Sequence, residues 1–583
     1  MNLSAIRHRA AFNDCYALSD NEVVINIHTG KDITAVYIIH EDPYIRGISA
    51  INPWKGKREK ITSRMELEHS FIWSIKLTPK FKRLQYYFEL QCGRETAYLY
   101  ENKIISGAYG KNGRQTGHYF KFSWLNTKDI ICPPDWVKDI VWYQIFPDRF
   151  NRGKNFVDKR KFKAWKDTAN ITYRDFYGGN IKGIEERLDY IKNLGCNGIY
   201  MTPIFKSGSN HKYNTYDYEM IDPEFGTEED IKSLVTNAHK KGIKIMLDAV
   251  FNHCGKEFFA WRDVIEKGEK SPYYNWFYIN QSNFIKNDYK TRDGRYYSFA
   301  FEAGMPKLNT NNDEVIDYLT GLCMHWVRDY GIDGIRFDVG DEISHYFLKK
   351  LHSKLKKLKP DIFLLGEIWI DSIQWLTGDE YDSVMNYPLF YNITEFWNNK
   401  SMTTEQLMYS VNYSMSLYTE QTNGVLFNFL DNHDTGRAIE CCENTDVLLQ
   451  KLIFLMTMPG TPCIYYGTEI AMPGKCDPHN RRPMPWADID FGKYDDIINE
   501  VKTIINLRRQ YNQFRSSNIV WEHKEEYPRL VTYCKLSDNA DVPLQIALNA
   551  GDDADLSVSG EIIYSKNYAD NVLKKNGIII YRG

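Results

Sequence analysis

The sequence predicts an α/β protein. Its centre is a closed (β/α)₈ barrel, with a β-sandwich before it, a domain inserted after the third barrel strand and a small β domain behind it. Three observations carry this. Strand-like and helix-like runs alternate over 123–512, as a parallel sheet with crossover helices requires. Eight strand-like runs take part, VWYQIF, GIYMTPI, KIMLDAV, GIRFDV, FLLGEIW, DSVMNY, GVLFNFLDNHD and TPCIYYG, and eight such units close a barrel. Residues 1–122 and 513–583 hold strand-like runs with turn residues between them.

Each element has its own signal. NEVVINIHTG, ITAVYIIH, FIWSIKL and RLQYYFEL are short runs bounded by Gly, Asp, Asn or Pro, the pattern of a β-sandwich over 1–122. The pattern changes at PPDWVKDIVWYQIFPDRF, where the barrel begins. Ile181, Ile184, Leu188, Ile191 and Leu194 recur at helical spacing, which predicts a helix over 181–195. Aromatic and Asn-rich sequence over 254–312 breaks the rhythm and reads as the insertion, dividing the barrel into 123–253 and 313–512. RLVTYCKL and PLQIALNA begin a C-terminal β domain over 513–583.

Bulk properties exclude several classes. The net charge of −3 gives no electrostatic footprint for nucleic acid. The N-terminus lacks a basic start followed by an apolar run, so no secretory signal is expected. LIFLMTMPGTPCIYYG is broken by Pro459, Gly460 and Pro462 and reads as buried helix then strand, not a membrane span. Eleven irregularly spaced cysteines match no zinc pattern and fit reduced thiols in the cytoplasm. Aromatic residues make up 15%, and flat rings suit sugar faces as well as cores.

The unusual polar residues fall at the C-terminal ends of barrel strands, where such barrels hold their sites. Strand three ends DAVFNH, with Asp248 and His253. Strand four, GIRFDV, aims Arg336 and Asp338 the same way, because side chains two apart share a face. Strand five ends with Glu367 and Trp369, and strand seven with His433 and Asp434. One buried ion pair would explain strand four alone. Acids, His and Arg from four strand ends point to catalysis. Three carboxylates around one cleft suit glycoside transfer, in which one attacks the anomeric carbon and another protonates the leaving oxygen. Arg336 is expected to keep Asp338 ionised as nucleophile. Glu367 must be protonated to act as the acid, which neighbouring carboxylates and a semi-closed cleft favour. His253 and His433 can bond sugar hydroxyls, and Tyr213 can stack on a ring.

DAVFNH, GIRFDV, GEIW and FLDNHD resemble, in order, the four signature regions of the α-amylase superfamily, glycoside hydrolase family 13. GIYMTPIF and GTPCIYYGTE look like its strand-two and strand-eight motifs. MPKLN (305–309) resembles the motif of the cyclomaltodextrinase, neopullulanase and maltogenic amylase group, and the N-terminal stretch looks like that group's starch-binding-type module. The resemblance implies a retaining hydrolase of α-1,4 bonds in cyclodextrins, malto-oligosaccharides and pullulan, with transglycosylation. It implies Asp338 as nucleophile, Glu367 as acid/base and Asp434 as the third carboxylate. Arg336, His253, His433 and Tyr213 match residues around the cleaved glucose, Asp477 and Arg481 two further glucose contacts, and Trp369 and Glu342 the leaving-group side. It also implies a homodimer through the N-terminal module, with Tyr44 of EDPY matching a residue that reaches into the partner's cleft. Asp248 reads as structural, ordering Arg336, while His325 and His345 read as core or surface.

Two departures stand out. The group often binds calcium after the first barrel strand. Here RFNRGKNFVDKR places Arg152 and Lys154 among the expected ligands, and Asn180 of YGGN replaces an acid, so the expectation is no metal, with a cation such as Lys154 in its place. DEISH (341–345) departs from the family's usual sequence after the nucleophile, on the acceptor side. The alternatives are an α-1,6-glucosidase of the same superfamily, or an inactive relative or sugar-binding protein. MPKLN argues against the first and the retained carboxylates against the others.

Overall fold

The computed structural model describes residues 1–47, 54–107, 118–154, 156, 162–281, 284, 291–537 and 542–583. The chain forms two compact units, Met1–Cys132 with Thr403–Asn423, and Pro133–Met402 with Gly424–Gly583.

In the first unit two antiparallel sheets share one core. Val23–Gly30 and Ser70–Leu77 lead one sheet, Ala35–Glu41 and Leu84–Cys92 the other. Val23, Ile25 and Ile27 meet Val36, Ile38, Phe88 and Leu90 between them, the alternate residues of each strand. Helix Thr404–Ser416 belongs to this unit, and Asn412 Nδ2 donates to the Glu66 carbonyl at 2.8 Å.

The second unit contains the barrel. Its strands are β1 (Trp142–Ile145), β2 (Gly198–Met201), β3 (Lys244–Ala249), β4 (Gly334–Phe337), β5 (Phe363–Gly366), β6 (Ser383–Val384), β7 (Phe427–Phe429) and β8 (Thr461–Tyr465). All pair in parallel, β6 through β5, β4, β3, β2 and β1 to β8 and β7. The ring closes between β6 and β7 through a single bridge, Met385 to Phe427. Side-chain bonds reinforce that seam: Ser383 Oγ donates to the Val425 carbonyl at 2.8 Å, and Asn386 Nδ2 to Asn428 Oδ1 at 2.7 Å. The expected 181–195 helix is two, Ile181–Glu186 and Leu188–Leu194, broken at Arg187, whose backbone leaves the helical region.

Interior side chains stand in tiers. Trp142, Met246, Phe363, Leu365, Phe427 and Cys463 form an apolar floor. Two residues further on, on the same faces, come Gln144 above Trp142, Asp248 above Met246, Arg336 above Gly334 and Glu367 above Leu365. Period-two alternation thus lifts the polar tier to the C-terminal mouth. The insertion returns along MPKLN, where Lys307 bridges His253 and Leu308 bridges Phe277. A six-stranded antiparallel sheet, including Leu530–Lys535, Leu544–Asn549 and Val572–Arg582, closes the chain.

Candidate active site

A guanidinium lies at the centre of the barrel mouth. Arg336 is fully buried. Its Nη1 donates to both Asp248 oxygens at 3.0 Å and to Asp338 Oδ1 at 2.9 Å, and its Nη2 lies 2.7 Å from Glu367 Oε2. One cation therefore serves three carboxylates. Asp248 is the most firmly held, because Tyr200 and Tyr213 also donate to its Oδ2, at 2.6 and 3.0 Å.

Asp338 sits one residue past the end of β4, positioned by its amide on the Ala249 carbonyl at 3.1 Å. The next residue, Val339, has φ +47°, a left-handed conformation that a β-branched residue rarely adopts. It costs about 1–3 kcal/mol. The bend turns the Val339 amide onto Glu367 Oε2 at 3.0 Å, joining the ends of β4 and β5. Glu367 Oε1 accepts the Trp369 indole N–H at 3.0 Å, and that indole stacks on Tyr387 with centroids 3.9 Å apart. Trp369 remains 42% exposed, a free face on the cleft.

The histidines and the third acid complete the wall. Tyr213 lies parallel to His433, at 5° and 5.2 Å, with its hydroxyl 2.5 Å from His433 Nε2. Asp434 Oδ2 is 3.1 Å from that nitrogen, and its Oδ1 is 3.4 Å from Arg481 Nη2. Arg481 Nη1 is 3.0 Å from Asp477 Oδ1. On the opposite side, Lys307 Nζ lies 3.0 Å from Glu342 Oε2 and also donates to Asn252 Oδ1. His253 is already engaged, its Nε2 on the Tyr213 carbonyl at 3.1 Å and its ring stacked on Phe299 at 4.7 Å.

These residues line one cavity of about 510 Å³. Asp338, Glu367, Asp434, Tyr213, His253, His433, Asp477, Arg481, Trp369 and Glu342 all face it, and Arg336 lies beneath. Tyr173, His211, Phe299 and Met305 also face it and escaped the sequence reading, and Asp341 of DEISH faces it too. They sit on loops without strand periodicity, although Met305 opens the MPKLN motif. Tyr173 is 61% exposed, its hydroxyl donating to the Asp477 carbonyl at 3.0 Å. His345 bonds buried Glu380 at 2.7 Å, and His325 bonds Asp329 at 2.5 Å; neither lines the cavity.

The electrostatics correct one expectation. Burial pushes Asp338 well above the usual carboxylate range. Arg336 opposes this, but Glu367, Asp248 and Asp434 add to it. The shared guanidinium lowers the Asp338 carboxyl but does not by itself offset its burial. Burial likewise raises Asp248, to about 6, against the pull of Arg336, and raises Asp434 against Arg481. Burial and then Arg336 and Arg481 push His433 well below its ordinary value, and burial lowers His253 to about 3, so both rings are neutral.

At the expected calcium position the described side chains are engaged within the protein. The Asn180 Oδ1 that would face a cation accepts the Gly153 and Gly183 amides at 3.0 and 2.8 Å, as a helix N-cap. Arg152, stacked 4.7 Å from the Phe156 ring, donates to the Tyr177 carbonyl at 2.6 Å and the Lys163 carbonyl at 2.9 Å. The cation placed against these carbonyls is thus Arg152, whereas Lys154 is exposed. Asn155 and Asp158 of the same motif lie outside the described residues.

Fold and cleft are those of a (β/α)₈ glycosidase. Residues 144–536 match the α-amylase catalytic domain and residues 1–126 the α-amylase N-terminal Ig-like domain. A cyclomaltodextrinase of Geobacillus thermopakistaniensis is 38% identical over 95% of this chain and 92% of its own. An intracellular maltogenic amylase of Bacillus subtilis is 36% identical over 92% of this chain and 90% of its own. A solved cyclomaltodextrinase superposes with a TM-score of 0.89 at 32% identity, covering 100% of this chain and 98% of that one. The chain belongs to the α-amylase family of glycoside hydrolases, in the group that holds the cyclomaltodextrinases and maltogenic amylases.

Proposed function

We propose that the protein cuts α-1,4 bonds of cyclodextrins and short malto-oligosaccharides, and of pullulan, with retention and with transfer to sugar acceptors. The observation that carries this is the placing of Asp338 and Glu367 on one guanidinium, with Asp434 across the cleft. Asp338 attacks the anomeric carbon as Glu367 gives its proton to the leaving oxygen, forming a glycosyl ester on Asp338. Glu367, now a carboxylate, takes a proton from water or from a sugar hydroxyl, which attacks and frees Asp338. Entry of the sugar puts the developing positive charge of the transition state beside Asp338, which favours its ionised form. Asp434, His433, Arg481 and Asp477 hold the donor glucose. Trp369 and Glu342 face the acceptor, which they share with Asp341 of DEISH.

The reading extends to a calcium-independent cytoplasmic homodimer. Arg152 in the carbonyl cradle supports the absence of a calcium requirement. Eleven free cysteines and relatives named as intracellular support the compartment. In the N-terminal unit Tyr44 is 53% exposed beside Ile45, with Arg83 4.9 Å from its ring, and supports a partner contact there.

The test is incubation with β-cyclodextrin, pullulan, soluble starch and isomaltose, followed by chromatography of the products. Maltose released fast from cyclodextrin and slowly from starch is expected. Glucose from isomaltose, with cyclodextrin untouched, would overturn the assignment in favour of an α-1,6-glucosidase.

A further inference from the structure

Gln144 is fully buried in the polar tier, on β1, and none of the roles above uses it. Its Nε2 lies 2.8 Å from His433 Nδ1. Its Oε1 is buried and has no hydrogen-bond partner among the described residues. An unpaired buried acceptor is uncommon enough to require a reason.

The surroundings of His433 supply one. Its Nε2 faces Asp434 Oδ2 at 3.1 Å and the Tyr213 oxygen at 2.5 Å. Tyr213 donates its own proton to Asp248 Oδ2 and so accepts at His433. Both neighbours of Nε2 therefore call for a proton there. A neutral imidazole carries one, which leaves Nδ1 bare and in need of a donor. The Gln144 amide is that donor. Turned round, it would set oxygen against a bare nitrogen and bury two N–H groups.

We propose that Gln144 is a positioning residue that locks His433 as its Nε2–H tautomer, keeping that proton aimed at Asp434 and the sugar hydroxyl bound beside it. This rests on the reading of the cleft given under Proposed function, and it adds a residue from a strand that supplies none of the signature acids. A carboxylate at 144 would accept where the amide donates. It would draw a proton to Nδ1 and either empty Nε2 or charge the ring, with Asp434, Glu367, Arg336, Arg481 and Tyr213 as its other polar neighbours.

The experiment is ¹⁵N NMR of histidine-labelled protein, with the His433 signals assigned by their loss in His433→Asn. In the wild type the Nε2–H tautomer is expected, and an Nδ1–H signal would overturn the proposal without any variant having to fold. In Gln144→Glu the signals should move to Nδ1–H or imidazolium, kcat/KM on β-cyclodextrin should fall about 100-fold, and the melting temperature should stay within a few degrees. Gln144→Leu, which neither donates nor accepts, should fall between the two. An unchanged tautomer in Gln144→Glu, or a changed tautomer with full activity, would also overturn it. A wild type inactive on every glucan would sink the functional reading and leave the tautomer result standing.

Discussion

Two buried aspartates five residues apart, at opposite ends of β4, are treated in opposite ways. Asp333, below the strand, has His239 at 2.7 Å, Lys359 at 2.9 Å, Lys244 at 3.0 Å and the Ile245 amide at 3.0 Å. Burial alone would raise it, but the His239 bond and the charge and bond of Lys359 prevail and hold it far below the carboxylate range. Asp338, above the strand, shares one guanidinium with Asp248 and Glu367, and burial prevails. The barrel gives the lower aspartate all the counter-charge it can use and gives the upper one too little. A satisfied charge fastens a strand, whereas an under-satisfied one waits for a substrate.

The comparison can be broken in order of effect. Asp338→Asn should cost about 10⁴-fold or more in kcat, since an amide is a poor nucleophile. The same change should leave the melting temperature equal or higher at pH 7. A raised carboxyl contributes stability that is complete below the unfolded value of about 3.9 and lost as pH rises through the folded value, so at neutral pH its charge works against the fold. A calorimetric loss of several degrees would show Asp338 to be structural. Glu367→Gln should cost roughly 10²–10⁴-fold, most on substrates with poor leaving groups. Equal losses along an aryl-maltoside series would remove the acid role.

Asp333→Asn should do the reverse, keeping activity per folded molecule while lowering stability. The loss is about 1–3 kcal/mol, below that for a fully buried pair because His239, Lys244 and Lys359 are partly exposed and can rehydrate. A depressed carboxyl contributes stability above the unfolded value of about 3.9 and loses it as pH falls below that. The deficit of the variant should therefore shrink steadily as pH falls from about 4 toward the far lower folded value, and a deficit that stays constant over that range would contradict the charge account. Smallest of all, calcium titration of the wild type by calorimetry should give no stoichiometric heat, and Arg152→Met should lower the melting temperature by a few degrees at most; a tight calcium signal would place a metal where Arg152 now sits.

All eight barrel strands were legible, because each combines a short apolar run with a polar terminus at period two. So was the polar tier, since Asp248, Arg336 and Glu367 each follow an interior residue by two. Less legible were properties set by several elements at once. GIRFDV shows Arg336 beside Asp338, yet nothing in the string says that the same guanidinium also reaches Asp248 and Glu367. Tyr173 and Phe299 reach the cleft from loops whose path no periodicity encodes. Gln144 was in plain view in VWYQIF, but an amide among apolar neighbours acquires meaning only from the ring above it. Asn180 was read as a lost ligand, and its bonds to Gly153 and Gly183 make it a helix cap as well.

The closing seam of the barrel carries its own consequence. A cylinder of staves is only as tight as its shortest stave, and β6 has two residues, with one bridge and two side-chain bonds joining its neighbourhood to β7. Thermal breathing should part the wall there first, admitting water to the floor while the other joints hold. Hydrogen exchange would register this as early labelling of 383–386 and 427–429, ahead of β3 and β4, which are laddered on both sides.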